Sequence, residues 1–188
     1  MSQSVRNVDV AILGAGSAGL SAWRAARKEG ASVTLIDPGP FGTTCARVGC
    51  MPSKLLIAAA DAAHHARQVA EFGVHSEGVR VDGREVMERV QSERDRFVGF
   101  VLEVIEEAKA AGELIVGRAE LAGHGRLRVD DGTEVHYERL VIATGSIPFV
   151  PPPFRGIEHT LLTNETLFDL DDLPGSVLVV GLGAIGLE

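Results

Sequence analysis

The segment that decides the fold is VDVAILGAGSAGLSAWRAARKEGASVTLID, Val8 to Asp37. Val8 to Leu13 is short, apolar and β-branched and ends on Gly14, whereas Ser17 to Lys28 carries small residues at helical spacing. Val33 to Ile36 is apolar again and closes on Asp37 and Pro38. The pattern predicts strand, tight turn, helix, strand, and a helical crossover makes the two strands parallel. Gly14, Gly16 and Gly19 stand as GxGxxG on the turn, and an acid, Asp37, ends the next strand. In that setting Gly14 permits the turn, Gly16 lets a pyrophosphate approach the backbone, and Gly19 allows the helix to pack closely. The helix N-terminal amides complement negative charge. The turn is a candidate dinucleotide site in which Asp37 accepts hydrogen bonds from ribose hydroxyls; the alternative is a glycine-rich turn with no ligand.

The same signature returns at the other end. Val177 to Val180 is an apolar run that leads into GLGAIGLE, where Gly181, Gly183 and Gly186 repeat the spacing, so a second strand and a second dinucleotide turn are expected, with the sequence stopping before their helix. Between the two turns, KLLIAAADAAHHARQVAE predicts a long helix from about Cys50 to Glu71, ended by Gly73. A second long helix is expected from Arg84 to Ala111, with Val86, Val90, Phe97, Val101, Leu102, Ile105 and Ala108 on one face. Leu114–Val116, Leu127–Val129 and Glu134–Tyr137, with a turn at Asp130–Gly132, read as a small antiparallel hairpin excursion. Leu140–Ala143 reads as a buried strand, and the prolines from Pro148 to Pro153 as a stiff connection with a boundary near 150.

Composition narrows the function classes. The chain has 188 residues, 45% hydrophobic and 23% charged, which excludes a disordered or fibrous protein. Eighteen basic against 26 acidic residues leave a net charge of -8, which disfavours nucleic acid and anionic lipid as partners. There is no signal peptide pattern and no apolar stretch of membrane-spanning length, so a cytoplasmic chain with no membrane partner is expected. None of His64, His65, His75, His124, His136 and His159 has an acid-base context, and they read as ordinary surface or core residues.

The two cysteines, Cys45 and Cys50, lie in GTTCARVGCMPSKLL and are too few for a disulfide framework. In a regular helix their Cα atoms would stand roughly 8 to 9 Å apart, beyond the reach of a disulfide at about 7 Å. A bridge therefore needs an irregular turn, for which Gly49 supplies the freedom, while Pro52 suits a first helical turn and sets the helix start near Cys50. A thiolate there is stabilised by the helix dipole, with Arg47 and Lys54 nearby. The pair reads as a redox couple; two buried free thiols or half of a zinc site are the alternatives, although no further ligand pair is present and no metal is expected.

Four ordered motifs now stand together: GAGSAG at Gly14–Gly19, the Cys45 and Cys50 segment with Pro52, Ser53 and Lys54, ATGSIP at Ala143–Pro148, and GLGAIGLE at Gly181–Glu188. In these the sequence resembles the flavin-dependent pyridine nucleotide disulfide oxidoreductases, and within them the dihydrolipoamide dehydrogenase branch. The resemblance implies an α/β fold: a Rossmann-like FAD-binding domain over 1–150, with a parallel sheet, helices and a small antiparallel β excursion. Over 151–188 it implies a linker and the start of a second Rossmann-like domain, for NAD(P). Gly14, Ala15, Gly16, Ser17, Ala18, Gly19 and Asp37 would hold the ADP half of FAD, and Ala119 would contact adenine through its backbone. Thr44 and Lys54 would lie along the flavin side, and Thr144, Gly145 and Ser146 would pass close to the cofactor. Cys45 would exchange with a lipoamide-like dithiol or disulfide substrate, Cys50 would face the flavin as the charge-transfer thiolate, and Gly181, Gly183, Gly186 and Glu188 would open the nicotinamide-nucleotide domain.

The sequence departs from the family pattern at Gly42-Thr43, where a glycine pair is usual, at Asp37, where Glu is commoner, and at Ala46-Arg47, where Leu-Asn is common. Ser53 argues against the glutathione reductase pattern, and Gly186 leans towards NAD over NADP. Family members run to several hundred residues and carry a C-terminal interface domain whose histidine serves the partner subunit of a homodimer. The sequence is thus expected to be an N-terminal portion, inactive alone. The alternatives are a non-catalytic nucleotide-binding module, a flavin monooxygenase sharing the glycine motifs, or a reductase of a glutathione-like disulfide or of mercuric ion.

Overall fold

Strand β1 (Val5–Leu13) begins three residues before the apolar run, and helix α1 (Ser17–Lys28) has the expected bounds. β2 (Val33–Asp37) lies parallel to β1, with Val10 opposite Val33 and Leu13 opposite Ile36. This is the strand-helix-strand unit written in Val8–Asp37. The computed structural model describes residues 4–75 and 77–188. They form two compact units, one of residues up to Thr44 with Val98–Ile147, the other of Cys45–Phe97 with Pro148–Glu188.

The first unit holds one sheet. Strands β3 (Leu114–Val116), β4 (Ala119–Leu121), β5 (Arg126–Val129) and β6 (Glu134–Ile142) complete it in the order β3-β2-β1-β6-β5-β4. The run β3-β2-β1-β6 is parallel, and β5 and β4 extend it antiparallel. The expected mixed α/β sheet is therefore present, with two corrections. Leu114–Val116 is not part of the antiparallel excursion but pairs in parallel with β2, Ile36 opposite Ile115. Its side chains explain this, since Leu114 packs on one face of the sheet and Ile115 on the other, and a strand apolar on both sides belongs inside a covered sheet. Glu134–Tyr137 and Leu140–Ala143, read as two strands, form the single strand β6, because its ladder to β1 keeps one register from Val5↔Glu134 to Leu13↔Ile142. That strand is only partly buried, and Ile142 is exposed.

Alternation along β1 and β2 builds the two halves of the core. Ile12, Val33 and Leu35 join Leu20 and Trp23 of α1 on one face. Ala11 and Ile36 join Leu127, Val129 and Val135 on the other. Ile105 and Ala108, from the last turns of helix α4 (Gly83–Ala110), close the first of these clusters. Polar contacts fasten the same face: Trp23 Nε1 donates to Glu113 Oε2 at 2.7 Å, and the Arg27 guanidinium lies 4.7 Å from the Trp23 ring centroid.

In the second unit, helix α3 (Cys50–Gln68) is followed by a 3₁₀ turn, Val69–Phe72, which Gly73 ends in the left-handed conformation. A short helix, α2 (Thr44–Val48), precedes α3 and was not foreseen. Pro52, Met87, Val90 and Phe168 are among the buried side chains of the second unit. The run Val177–Val180, expected as a strand, takes no strand and is exposed along its length. A strand exists only through a ladder, and no partner for this run occurs among the described residues. The helix expected to be missing is begun, as α5 (Ala184–Leu187).

Leu35 is fully buried and Leu121 is 66% exposed. Leu35→Ala should therefore cost about 2–5 kcal/mol in urea unfolding, while Leu121→Ala should stay within about 0.5 kcal/mol of the parent.

Candidate dinucleotide and redox site

The first glycine turn separates what the protein needs from what it leaves open. Gly14 adopts φ +100°, and a Cβ there would overlap the carbonyl oxygen of Ala143, just beyond β6. A Cβ on Gly19 would overlap the Gly14 carbonyl oxygen, so the first turn of α1 rests directly on the end of β1. Gly16 is different. Its φ is an ordinary -78°, and a Cβ there would meet nothing within 4 Å. The space above the middle glycine is filled by no protein atom within 4 Å of a Cβ there, at the N-terminus of a 12-residue helix whose amides suit the negative charge of a pyrophosphate.

Asp37 ends β2 as expected, and its carboxylate is engaged by the loops: Ala15 N–H donates to Oδ2 at 2.6 Å and Gly39 N–H to Oδ1 at 2.7 Å. Each carboxylate oxygen can accept a further bond. Ala119 lies half-buried in β4 opposite Val129. Thr144, Gly145 and Ser146 follow β6 and are exposed, with Gly145 at φ +69°. Thr44 opens α2.

The second glycine turn repeats the geometry of the first. Gly181 has φ +121°, a Cβ on Gly183 would meet nothing within 4 Å, and a Cβ on Gly186 would overlap the Gly181 carbonyl oxygen. The residues before the two helices also match, Gly16 at φ -78°, ψ -170° and Gly183 at φ -75°, ψ 177°.

The thiol pair sits where two helices fail to join. α2 ends at Val48, Gly49 breaks the backbone at φ -133°, ψ -121°, and Cys50 starts α3. The break is the irregular turn that the spacing demands, and across it the Cys45 and Cys50 side chains are hydrogen-bonded. Both are free thiols, Cys45 half-buried and Cys50 exposed. The hydrogen bond to Cys50 holds the Cys45 thiol above its ordinary range; burial and an ionised neighbour push the same way, against a smaller pull from the Cys50 backbone amide. No group of three or more metal-ligating side chains occurs among the described residues.

One contact escaped the sequence reading. Lys54 and Ser53, on the first turns of α3, both bind Glu188: Lys54 through its ammonium group, Ser53 Oγ by donation to Oε1 at 2.5 Å. These bonds, the Lys54 one first, hold the Glu188 carboxyl below its ordinary 4.5. Because the folded value is depressed, the stabilisation exists above the ordinary carboxylate value and is lost as the pH falls below it, through the lowered folded value. Lys54 and Glu188 had been assigned separately, and with 134 positions between them no local pattern links the two. Among the histidines, His136 Nε2 meets Glu134 Oε1 at 2.6 Å, and the His64 and His65 rings meet edge to face.

Residues 8–188 match the family described as Pyridine nucleotide-disulphide oxidoreductase, and the chain belongs to that family of oxidoreductases. It is 36% identical over 187 residues to a dihydrolipoyl dehydrogenase of Halobacterium salinarum, covering 96% of this chain and 39% of the relative. It is 34% identical over 180 residues to a glutathione reductase of Burkholderia cepacia, covering 96% and 39%. Among solved structures it resembles the Cu(II) complex of the HOCl-induced flavoprotein disulfide reductase RclA from Escherichia coli, with a TM-score of 0.65 and 27% identity over 90% of this chain and 36% of that one. The chain spans about two fifths of the length of the curated relatives it matches. No helix among the described residues is long and apolar enough to cross a membrane.

Removing the hydrogen-bond partner should release Cys45. In Cys50→Ala the Cys45 titration, followed by iodoacetamide alkylation against pH, should move down towards the ordinary thiol range, with faster alkylation at neutral pH than Cys45 shows in the parent.

Proposed function

We propose that this chain carries the FAD-binding and redox-disulfide portion of an FAD-dependent NAD(P):disulfide oxidoreductase of the dihydrolipoamide dehydrogenase type. The observation that carries the reading is the pair of free thiols on either side of the helix break at Gly49, Cys45 in α2 and Cys50 at the head of α3. The relative named dihydrolipoyl dehydrogenase supports the lipoamide-like substrate, and Ser53 in place of a second lysine weighs against a glutathione-like one. When bound, FAD supplies a two-electron relay between thiols and a nicotinamide.

The chain's own part is to bind, orient and exchange. Gly14 to Gly19 would cradle the pyrophosphate, Asp37 would take ribose hydroxyls on its remaining acceptor sites, and Ala119 would meet the adenine through its backbone. Thr44, Lys54 and Thr144 to Ser146 would line the rest of the cofactor. Cys45 exchanges with the substrate: the thiolate of the dithiol attacks Cys45 of the Cys45–Cys50 disulfide, Cys50 leaves as thiolate, and the second substrate thiol displaces Cys45 to give the substrate disulfide. The pair gains two electrons and the substrate loses two. Glu188, anchored by Lys54 and Ser53, and the glycines at 181, 183 and 186 would open the nicotinamide side, with NAD favoured. The resemblance also points to a homodimer in the cytoplasm, with the acid-base histidine on the partner subunit.

Gly16 tests the cofactor. Gly16→Ala fills space that the protein itself does not use, so its thermal unfolding should match the parent while its FAD affinity falls by about tenfold or more. An unchanged affinity would remove FAD from the glycine cradle. Addition of one equivalent of dithiol to the FAD-loaded protein should raise a long-wavelength absorbance that Cys50→Ala abolishes.

A second observation bears on the isolated chain. The run before Gly181 is exposed and takes no strand among the described residues, so the nicotinamide side is unsupported. The 188-residue chain should bind FAD and cycle its cysteines yet show no NADH-coupled lipoamide turnover; measurable turnover would overturn this.

A further inference from the structure

The segment Thr163–Leu173 makes contacts that the electron-transfer reading does not use. Its first turn is closed by its own hydroxyls, Thr163 N–H donating to Thr166 Oγ1 at 3.0 Å and Glu165 N–H to Thr163 Oγ1 at 3.2 Å. The residues that follow are fastened to α4. Phe168 is buried, Arg94 donates to Phe168 O at 3.3 Å and to Asp169 Oδ1 at 2.5 Å, and Gln91 Nε2 donates to Leu170 O at 2.9 Å. Arg84 adds an ion pair to Asp172 at 3.4 Å. The Arg94 side chain is only 15% exposed, whereas its partner Asp169 is 63% exposed.

A segment fixed at so many points presents Asn164 in one orientation. Its Nδ2 donates to Val48 O at 3.1 Å. Val48 is the last residue of α2, is buried, lies between Cys45 and Cys50, and precedes Gly49, where the backbone breaks. The last carbonyls of a helix have no intrahelical partner, and a buried one left unmet is costly. Asn164 meets this one, and in doing so it ties down the link between the two thiols.

We propose that Asn164 is a positioning residue for the Cys45–Cys50 couple: by holding the Val48 carbonyl it fixes the break at Gly49, keeps the two sulfurs within bonding reach, and so sets the couple's redox equilibrium. The inference rests on the pair being a redox couple. With glutathione disulfide as oxidant, one protein thiolate attacks a glutathione sulfur and releases one glutathione thiolate. The other protein thiolate then attacks the mixed disulfide and releases the second. Two electrons pass from the protein dithiol to glutathione disulfide, giving a protein disulfide and two glutathione thiols. The second step is intramolecular, and its equilibrium depends on how closely one sulfur is held to the other. Freeing Val48 widens the motion that ring closure must arrest, so the dithiol gains.

The purified protein is equilibrated in glutathione buffers of graded ratio, acid-quenched and alkylated, and the Cys45–Cys50 disulfide fraction is read by mass. Asn164→Ala removes the donor; Asn164→Asp keeps the shape but offers the carbonyl only acceptors at neutral pH. Both should shift the equilibrium towards the dithiol roughly fivefold, a potential about 20 mV more oxidising at 29.6 mV per tenfold. Glu165→Ala, in the same turn, should match the parent. Parent-like equilibria in the Asn164 variants would overturn the proposal, as would a shift in Asn164→Ala that Asn164→Asp does not share. If the alanine variant does not fold, the aspartate variant decides by the same readout. A parent that forms no Cys45–Cys50 disulfide at any ratio would instead sink the redox couple itself, an outcome distinct from equal potentials.

Discussion

The close approach of Gly19 to the Gly14 carbonyl is the constraint from which the first unit is built. With no Cβ at position 19, α1 can start against the end of β1 and lay Leu20 and Trp23 over the sheet beside Ile12 and Leu35. Any larger residue would lift the helix from the strand and open that cluster. The same turn leaves the space over Gly16 open, so one backbone contact fixes both the packing of the core and the shape of the cradle. Gly14 adds the other side of the fit, against Ala143 at the end of β6. The strands that flank β1 therefore meet the turn at their C-terminal ends, where open α/β sheets carry their ligands.

In the second unit the governing feature is a discontinuity. An unbroken helix through Cys45 and Cys50 would hold the sulfurs apart; stopping α2 at Val48 and restarting at Cys50 brings them together. Pro52 helps, since it sits where the first helical amides lack partners and its missing N–H costs nothing. The interruption exposes carbonyl groups that need partners, and the segment following Thr163 reaches one of them. A redox turn of this kind depends on residues far from it in sequence.

What the sequence made legible was whatever depends on local spacing. Val8–Asp37 predicted a strand, a helix and a second strand within a few residues, and the irregular turn at Gly49 followed from the cysteine spacing and helix geometry alone. Gly73 marked its helix end for the same reason. What stayed hidden depended on distant partners. Nothing within AEL announces β4, a three-residue strand that exists because β5 lies beside it. Leu114–Val116 could not be told from a hairpin strand until its neighbour was known. The strand expected at Val177–Val180 failed for the opposite reason, having the right residues and no ladder. In the site, the glycines could be placed from their spacing, whereas Lys54 with Glu188 and Asn164 with Val48 join positions more than a hundred residues apart.

Trp23 is the single tryptophan of the chain, is 1% exposed, and is held between Glu113 and Arg27. Its fluorescence therefore reports on the docking of α1 to its sheet in the first unit. Circular dichroism, by contrast, is weighted by the longest helices, α3, which belongs wholly to the second unit, and α4, whose residues are divided between the two. Coincident transitions by the two probes would mark the units as one cooperative body, and separated transitions would give each its own stability. The chain thus carries an optical label confined to one half, with no dye to attach and no residue to replace.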